Sequence, residues 1–136
     1  MIKQISIELP EYPKGYHLIT PIIKSRLNGL PEIGLVNILV LHTSAGLTIN
    51  ENADPSVRND FELFMNKLVP ENESFYTHIF EGSDDMPAHI KSSIFGASLT
   101  IPITNYCMNL GTWQGIYLCE FRNHGGPRKL LVTIYS

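Results

Sequence analysis

Several features that would assign a chain to a class at once are missing from this sequence. It has only two cysteines in 136 residues, Cys107 and Cys119, which is too few for the disulfide framework of a small secreted domain. It has no run of lysine and arginine, and its ten basic residues are outnumbered by thirteen acidic ones, which argues against nonspecific nucleic-acid binding. No apolar run is long enough for a signal peptide or a membrane-spanning helix. We therefore expect a soluble cytoplasmic protein with reduced cysteines and no nucleic-acid or membrane partner.

The composition that remains is typical of a folded domain. Hydrophobic residues make up 43% of the chain and charged residues 17%, with the nine prolines spread along its length. A chain of this size buries roughly 68% of the surface that its unfolded form exposes, which is enough for one core and too little for two. Residues 1–136 are thus expected to form a single domain.

Strand and helix patterns alternate along the first half of the chain. Alternating apolar residues predict a strand over 5–9, and the Thr20-Pro21 pair predicts the start of a short helix. The apolar run Leu35–Leu41 is typical of a central strand buried on both faces. The clearest helix begins at Asp54-Pro55 and ends before Pro70. Its predicted apolar face comprises Val57, Phe61, Phe64, Met65 and Leu68.

Strands dominate the predictions for the second half. Residues 75–80 alternate as a strand would, and Pro87 begins a second helix that has Ile90 and Ile94 on its inner side and stops at Gly96. The last forty residues predict an antiparallel meander of four strands. The fold class is therefore α+β, a β-sandwich-like core of antiparallel or mixed sheets with two or three helices. The meander strands are Leu99–Ile103, Tyr106–Leu110, Thr112–Arg122 and Lys129–Tyr135.

Three of the five histidines are candidates for a metal site or for proton transfer. His42 follows a predicted buried strand, His78 lies among aromatic residues, and His89 is one helical turn after Asp85, whose carboxylate could orient its ring or share its metal. The spacings match no local zinc motif, so a buried histidine that only donates or accepts a hydrogen bond is the alternative. The acidic residues before Pro87 have their own alternative role, since they complement the helix dipole.

Two polar segments are further candidates for a site wall. Asn50 and Glu51 precede the Asp54 cap, where they form either part of a site or a helix-entry turn. Gln114 beside Gly115 lines a pocket or belongs to a solvent-facing or interface strand. Ser44 lacks the GxSxG context of a serine hydrolase.

Four segments taken in order closely resemble the YjbQ family, also called secondary thiamine-phosphate synthase. The resemblance covers essentially the whole chain. It implies a compact α+β fold with a β-sandwich-like core, a homotrimer, and a site where histidines meet an acidic segment. It also implies zinc as a ligand, with magnesium or manganese as alternatives. The segments are His42–Ala45, Asn50–Pro55, Glu81–His89 and Leu110–Tyr117.

The resemblance also implies roles for individual residues. The implied metal ligands are His42, His78 and His89. The implied catalytic residues are Asp85, His89 and Glu51, and the implied substrate-binding residues are Ser44, Asn50, Thr112, Gln114 and Gly115. A meander rich in aromatic residues gives independent support to the homotrimer, because it offers more apolar surface than a small core readily hides, and the alternative is that these residues simply fill the sandwich. Its members are Tyr106, Met108, Trp113, Tyr117 and Phe121.

The chemistry leaves more than one function open. Thiamine-phosphate synthesis is a transferase reaction that releases pyrophosphate, which a site stabilises with Mg²⁺ and basic side chains, and this chain offers few of the latter. Imidazoles with carboxylates suit zinc- or manganese-assisted hydrolysis of a small substrate, phosphorylated or not, at least as well. A non-catalytic trimer that binds a metal or small ligand is the third hypothesis.

Overall fold

Eight strands form two antiparallel sheets in the computed structural model, which describes residues 1–136. The larger sheet has the order β1-β8-β3-β5-β6 and the smaller one the order β2-β7-β4. The three helices lack the length and apolar character needed to span a membrane. The α+β prediction is confirmed. The strands are Ile2–Glu8 (β1), Gly15–Leu18 (β2), Ile33–Val40 (β3), Ala45–Glu51 (β4), Ser98–Thr104 (β5), Cys107–Met108 (β6), Gln114–Glu120 (β7) and Lys129–Tyr135 (β8), and the helices are Thr20–Arg26 (α1), Pro55–Leu68 (α2) and Asp85–Phe95 (α3).

The main core consists of branched aliphatic side chains, most of them from the facing sides of the two sheets. Each such side chain contributes about 1.5–3 kcal/mol when it is fully buried. Strand β7 lies in the middle of the smaller sheet and is buried on both faces, because its other side meets the helices. Buried core residues include Val36, Ile38, Ile101, Ile103, Val132 and Ile134 from the larger sheet, and Leu47, Ile116 and Leu118 from the smaller one.

Two topological expectations are wrong. Strand β3 is central, but only one of its faces is buried, and Ile33 on the other face is 74% exposed. The reason is that α2 and α3 pack on the smaller sheet and leave the outer face of the larger sheet without a helix. The predicted meander is also interrupted, because β7 crosses into the smaller sheet and pairs with β2 and β4.

Helix α2 begins as the sequence predicts. The Asp54 carboxylate accepts a hydrogen bond of 2.9 Å from the backbone N–H of Ser56, which satisfies a donor that the helix itself leaves unpaired. Only part of its predicted apolar face packs inward: Met65 is buried, whereas Phe64 and Leu68 are exposed.

Helix α3 turns a different face inward from the one that its sequence predicts. The predicted inner residue Ile94 is 54% exposed, while Asp85, Ala88 and Lys91 are buried. The helix lies close to β4 at Gly46, where an added Cβ would come within 3.1 Å of the Gly96 carbonyl oxygen. The absence of a side chain at Gly46 therefore permits the close approach of the C-terminal end of α3 to β4.

The predicted strand over 75–80 does not form. The segment is irregular, and Phe80 is 94% exposed. Its alternation of aromatic and polar residues has no neighbouring strand to pair with, and the Tyr76 N–H bonds locally to the Glu73 carbonyl. The segment instead serves as the connection that brings His78 toward the start of α3.

The close approach of α3 to β4 predicts the effect of enlarging Gly46. We expect Gly46→Val to destabilise the protein by about 1–3 kcal/mol, because the new methyl groups push against the C-terminal turn of α3. Denaturant unfolding measures the change. Ser98→Val, at an exposed strand position, is the control and should cost much less. Equal stability of the two variants would contradict this packing.

Candidate metal centre

One buried carboxylate organises the candidate site. Asp85 is the first residue of α3, and its side chain is 2% exposed. Its Oδ2 atom lies 2.6 Å from His78 Nε2 and 3.1 Å from His89 Nε2. The potential ligand atoms of these three residues all lie within 4.8 Å of one another. The structure thus brings together two of the predicted histidines and the predicted acidic partner of His89.

Arg122 holds the other side of this carboxylate. Its Nη1 donates a 2.6 Å hydrogen bond to Asp85 Oδ1, and its Nε donates a 3.1 Å hydrogen bond to Asp84 Oδ2. Its third group, Nη2, donates to the Glu81 carbonyl oxygen. Because one planar guanidinium engages all three partners, the turn before α3 and the orientation of Asp85 are set together. No pattern in the sequence singled out Arg122 for this role.

These contacts keep Asp85 ionised. Burial raises the pKa of its carboxyl group, but the His78 hydrogen bond and the Arg122 charge outweigh burial and hold the pKa below the ordinary value of 3.8. Asp85 therefore carries a full negative charge at neutral pH and is available as an anionic ligand.

The hydrogen bonds of His89 define where its lone pair points. Its Nδ1–H donates to the Thr43 carbonyl oxygen at 2.9 Å, so a neutral ring keeps its lone pair on Nε2. That lone pair faces a carboxylate oxygen only 3.1 Å away. Two acceptors repel one another at this distance unless a proton or a metal ion lies between them. Imidazole ligands of metals commonly donate their second N–H to a carbonyl in this way.

The donor set fits a transition metal. Two imidazoles and one carboxylate are a combination that catalytic zinc uses, and it leaves a coordination position open. Both acceptor groups are oriented by contacts outside the set, His89 through Thr43 and Asp85 through Arg122.

A small cavity opens beside His78. Its volume is about 110 Å³, and its lining includes Asn72, Glu73 and Tyr76 from the segment between α2 and α3. The Glu73 carboxylate makes no hydrogen bond or ion pair, and no lysine or arginine lines the cavity. Space for a small polar molecule therefore lies next to one of the three potential ligands.

His42, a predicted metal ligand, is not part of this group. Its Nε2 accepts a 2.9 Å hydrogen bond from the Lys129 backbone N–H, which ties the end of β3 to the start of β8. Burial and the nearby Arg128 charge lower its pKa below 6.5. Asp85 takes the third place in the cluster, because its position on α3 faces both other histidines.

Ser44 belongs to a buried ionic cluster. Its Oγ accepts a hydrogen bond from Arg128 Nη2, and the same guanidinium makes two short hydrogen bonds to the carboxylate of Glu120. Both charged side chains are almost fully buried. The sequence signal for this pair is Glu120, a charged residue at the end of an otherwise apolar strand.

The other predicted site residues lie at the opposite end of the smaller sheet. At this end Asn50 pairs with Gly115, and Glu51 pairs with Gln114. At the other end, close to the metal cluster of His78, Asp85 and His89, Ala45 pairs with Glu120. Six residues of strand separate the two ends, about 20 Å. Within one chain the structure therefore does not join these residues to the metal cluster. Thr112 is at the same far end, where its carbonyl oxygen accepts a hydrogen bond from the Asn52 amide.

Comparison with known sequences places this geometry in a family. A model of the UPF0047 protein YjbQ-like family matches residues 3–136. The UPF0047 protein YjbQ of Salmonella typhimurium is 55% identical over 133 residues, covering 96% of each chain. A UPF0047 protein of Methanocaldococcus jannaschii is 50% identical over 112 residues, covering 82% of this chain and 76% of its own.

Solved structures agree with the fold. A conserved hypothetical protein from Thermus thermophilus superposes with a TM-score of 0.84 at 33% identity, covering 94% of this chain and 97% of its own. A YjbQ/UPF0047 protein from Clostridium acetobutylicum gives 0.81 at 37% identity, covering 96% and 98%. The names of these relatives state no reaction, so they support the family and the fold but lend no support to thiamine-phosphate synthesis.

The depressed pKa of His42 predicts how stability depends on pH. The unfolded chain binds a proton at His42 below about pH 6.5, whereas the folded chain resists it. Stability from this residue is thus complete above pH 6.5 and is lost as the pH falls toward the folded pKa. His42→Gln, which can still accept from Lys129, should weaken this pH dependence in chelator-treated protein, as measured by urea unfolding. An unchanged pH profile would refute the prediction.

Proposed function

The chain belongs to the YjbQ-like UPF0047 family, and we propose that it is a metal-dependent hydrolase of a small substrate without a phosphate group. The observation that carries the proposal is the cluster of His78, Asp85 and His89, in which the Nε2 atoms of both histidines lie within 3.1 Å of one carboxylate oxygen. Such an arrangement is stable only with a proton or a cation between the two groups.

In this proposal the three clustered residues hold one divalent ion. Imidazole nitrogens favour zinc, and the carboxylate also accommodates magnesium or manganese. When bound, the ion supplies Lewis acidity, which activates water near neutral pH. Arg122 keeps Asp85 Oδ1 occupied, so that Oδ2 remains directed at the two histidines.

Glu73 is the proposed general base. It lines the cavity beside His78 and has no partner that would neutralise its carboxylate. An unpaired carboxylate in this place can accept a proton from water as the water attacks a substrate held in the cavity. Asn72 offers a side-chain amide in the same cavity, which suits a substrate with a carbonyl group.

The charges around the cluster favour an uncharged substrate over a phosphorylated one. Arg122 is the cationic side chain in contact with the cluster, and it is already engaged by Asp84, Asp85 and the Glu81 carbonyl. A departing pyrophosphate would need basic side chains, and no lysine or arginine lines the cavity. We therefore place hydrolysis ahead of thiamine-phosphate synthesis. Glu51 has no part in the proposed reaction, because it lies about 20 Å away along β4.

The metal proposal predicts graded losses of zinc affinity. Asp85→Asn and His89→Gln each remove a ligand. After dialysis, neither variant should retain zinc in a stoichiometric amount. Arg122→Gln should weaken binding by about 10–100-fold, since it removes an orienting contact. Glu81→Gln, which changes an exposed side chain, is the control. Elemental analysis reports the metal and circular dichroism the fold. Wild-type zinc affinity in folded Asp85→Asn protein would disprove the site.

The hydrolase proposal is tested separately from the metal. Zinc-loaded protein is assayed against a panel of small esters, lactones and amides, and Glu73→Gln is expected to bind zinc normally but to lose at least a hundredfold in rate. A protein that binds zinc tightly and hydrolyses none of the panel would instead favour the non-catalytic metal-binding hypothesis.

We also propose that the protein forms the homotrimer that the family resemblance implies. Two exposed apolar regions support an assembly: the outer face of the larger sheet around Ile33 and Leu35, and the turn that carries Trp113. Of the aromatic residues expected at an interface, Tyr117 and Phe121 are instead buried within the chain.

The assembly is tested by its mass. Light scattering at micromolar concentration should report three times the 15.3 kDa of the chain. Ile33→Lys should lower this mass if the outer sheet face takes part, whereas Lys3→Ala, at an exposed polar position, should not. A monomeric mass for the unchanged protein would overturn the proposal.

A further inference from the structure

Helix α3 carries a largely apolar stripe that the core does not use. Its members recur at the i, i+3, i+4, i+7 and i+8 spacing of a single helix face, which in a surface helix ordinarily packs against the core. The buried side of α3 is a different one, with Ala88 and Lys91, so the stripe is turned to solvent and Ile94 at its end is 54% exposed. The members of the α3 stripe are Met86, His89, Ile90, Ser93 and Ile94.

The α3 stripe lines an open groove of about 410 Å³ that borders the candidate metal centre. His89 belongs to both, because its Nε2 faces Asp85 in the cluster while the residue also lines the groove. Apart from this imidazole, no ionisable side chain lines the groove. The groove is therefore an apolar surface with a potential metal ligand in its wall.

The groove and the cavity that contains Glu73 border different histidines of the cluster. His78 lines the cavity and His89 lines the groove, and the centroids of their rings are 5.2 Å apart. Met86 lines both spaces, so they are direct neighbours. A ligand held at the cluster thus has a polar space in one direction and an apolar space in the other.

We propose that the groove binds the aliphatic acyl chain of the substrate, whose carbonyl group lies at the cluster and whose polar leaving group lies in the cavity beside Glu73. This inference rests on the proposed hydrolase function and names its substrate class, an uncharged amphipathic ester or amide. Water adds to the carbonyl carbon, and the bond from that carbon to the ester oxygen or amide nitrogen breaks. The proton that Glu73 takes from the water passes to the departing atom, so the products are a carboxylic acid and an alcohol or amine.

The dimensions of the groove suit a chain better than a second copy of the protein. From Met86 to Ile94 the stripe is roughly 12 Å long and one helix face wide. Its five side chains offer far less than the roughly 800 Å² that each partner of a stable interface buries. A subunit packed over Met86 and His89 would also cover the place where the groove meets the cavity. A single aliphatic chain fills the groove and leaves that place open.

The groove is tested first in metal-free protein, so that the result does not depend on hydrolysis. Butanol, pentanol and hexanol are titrated in turn while the methyl signals of Met86, Ile90 and Ile94 are recorded by NMR. We expect saturable shifts of these signals and an affinity that rises about two- to fourfold with each added methylene, because each one removes further apolar area from water.

The substrate class is tested in zinc-loaded protein with esters of one alcohol whose acyl chains run from butanoyl to octanoyl. After subtraction of the uncatalysed rate, kcat/KM should rise by a similar factor per methylene, and the increase should end once the chain extends past Ile94.

Variants of the stripe assign both effects to the groove. Ile90→Ser and Ile94→Ser should each lower the affinity for hexanol by about three- to tenfold and flatten the dependence of kcat/KM on chain length. Leu63→Ser is the matched control, because Leu63 is an apolar residue that is 64% exposed on α2, outside the groove. Circular dichroism reports the fold, and the exposed Ile94 keeps the test usable if Ile90→Ser is unstable.

The outcomes separate this inference from the hydrolase proposal. Alcohol binding at the stripe that depends on Ile94 supports the groove, even if no ester or amide is hydrolysed and the hydrolase proposal fails. Hydrolysis with equal kcat/KM for all chain lengths, or stripe signals that do not respond to the alcohols, would overturn the inference and leave the hydrolase proposal intact. A lower oligomer mass for Ile94→Ser in light scattering would assign the stripe to a contact between copies and would overturn it as well.

Discussion

The buried negative charge of Asp85 is the constraint on which the candidate centre depends. An ionised carboxylate that is 2% exposed is tolerated only where hydrogen bonds and opposite charges replace water. Two parts of the chain provide them directly, the segment before α3 through His78 and the residues after β7 through Arg122, and the helix adds His89 when a proton or a metal ion lies between its Nε2 and the carboxylate. Satisfying one charge therefore positions the irregular connection, the helix and the end of the strand relative to one another.

Strand β7 fixes the positions of the polar regions at its two ends. Alternate residues enter the main core and the layer under the helices, so both faces are buried and the strand has little freedom to shift. One end delivers Glu120 to the buried pair with Arg128 and places Arg122 just beyond it. The other end brings Gly115 against Leu18 and Asn52, where no larger residue fits. The two polar regions are held apart because they lie at opposite ends of the same rigid strand.

Local signals in the sequence predicted much of the secondary structure and part of the site. The Asp54-Pro55 pair marked the start of α2, Gly96 marked the end of α3, and the four-residue spacing of Asp85 and His89 predicted their contact, since each of these depends on neighbours within one turn. The strand predicted for 75–80 does not form, because a strand needs a neighbouring strand for its backbone hydrogen bonds as well as alternating side chains. The local sequence does not contain that neighbour.

The sequence by itself determined the α+β class, the starts of the three helices, most strands of the larger sheet and the residue types that can bind a metal, but it did not predict β2 or β4. Only the tertiary structure decided which of them meet. His42 and His89 are both close to Thr43, yet one ring nitrogen of His42 is directed at the Lys129 backbone and the Nε2 of His89 at Asp85. The difference arises from the close approach of α3 to β4 and from the crossing of β7 between the sheets. Both depend on packing contacts between residues that are distant in the chain, and no local sequence pattern encodes such contacts.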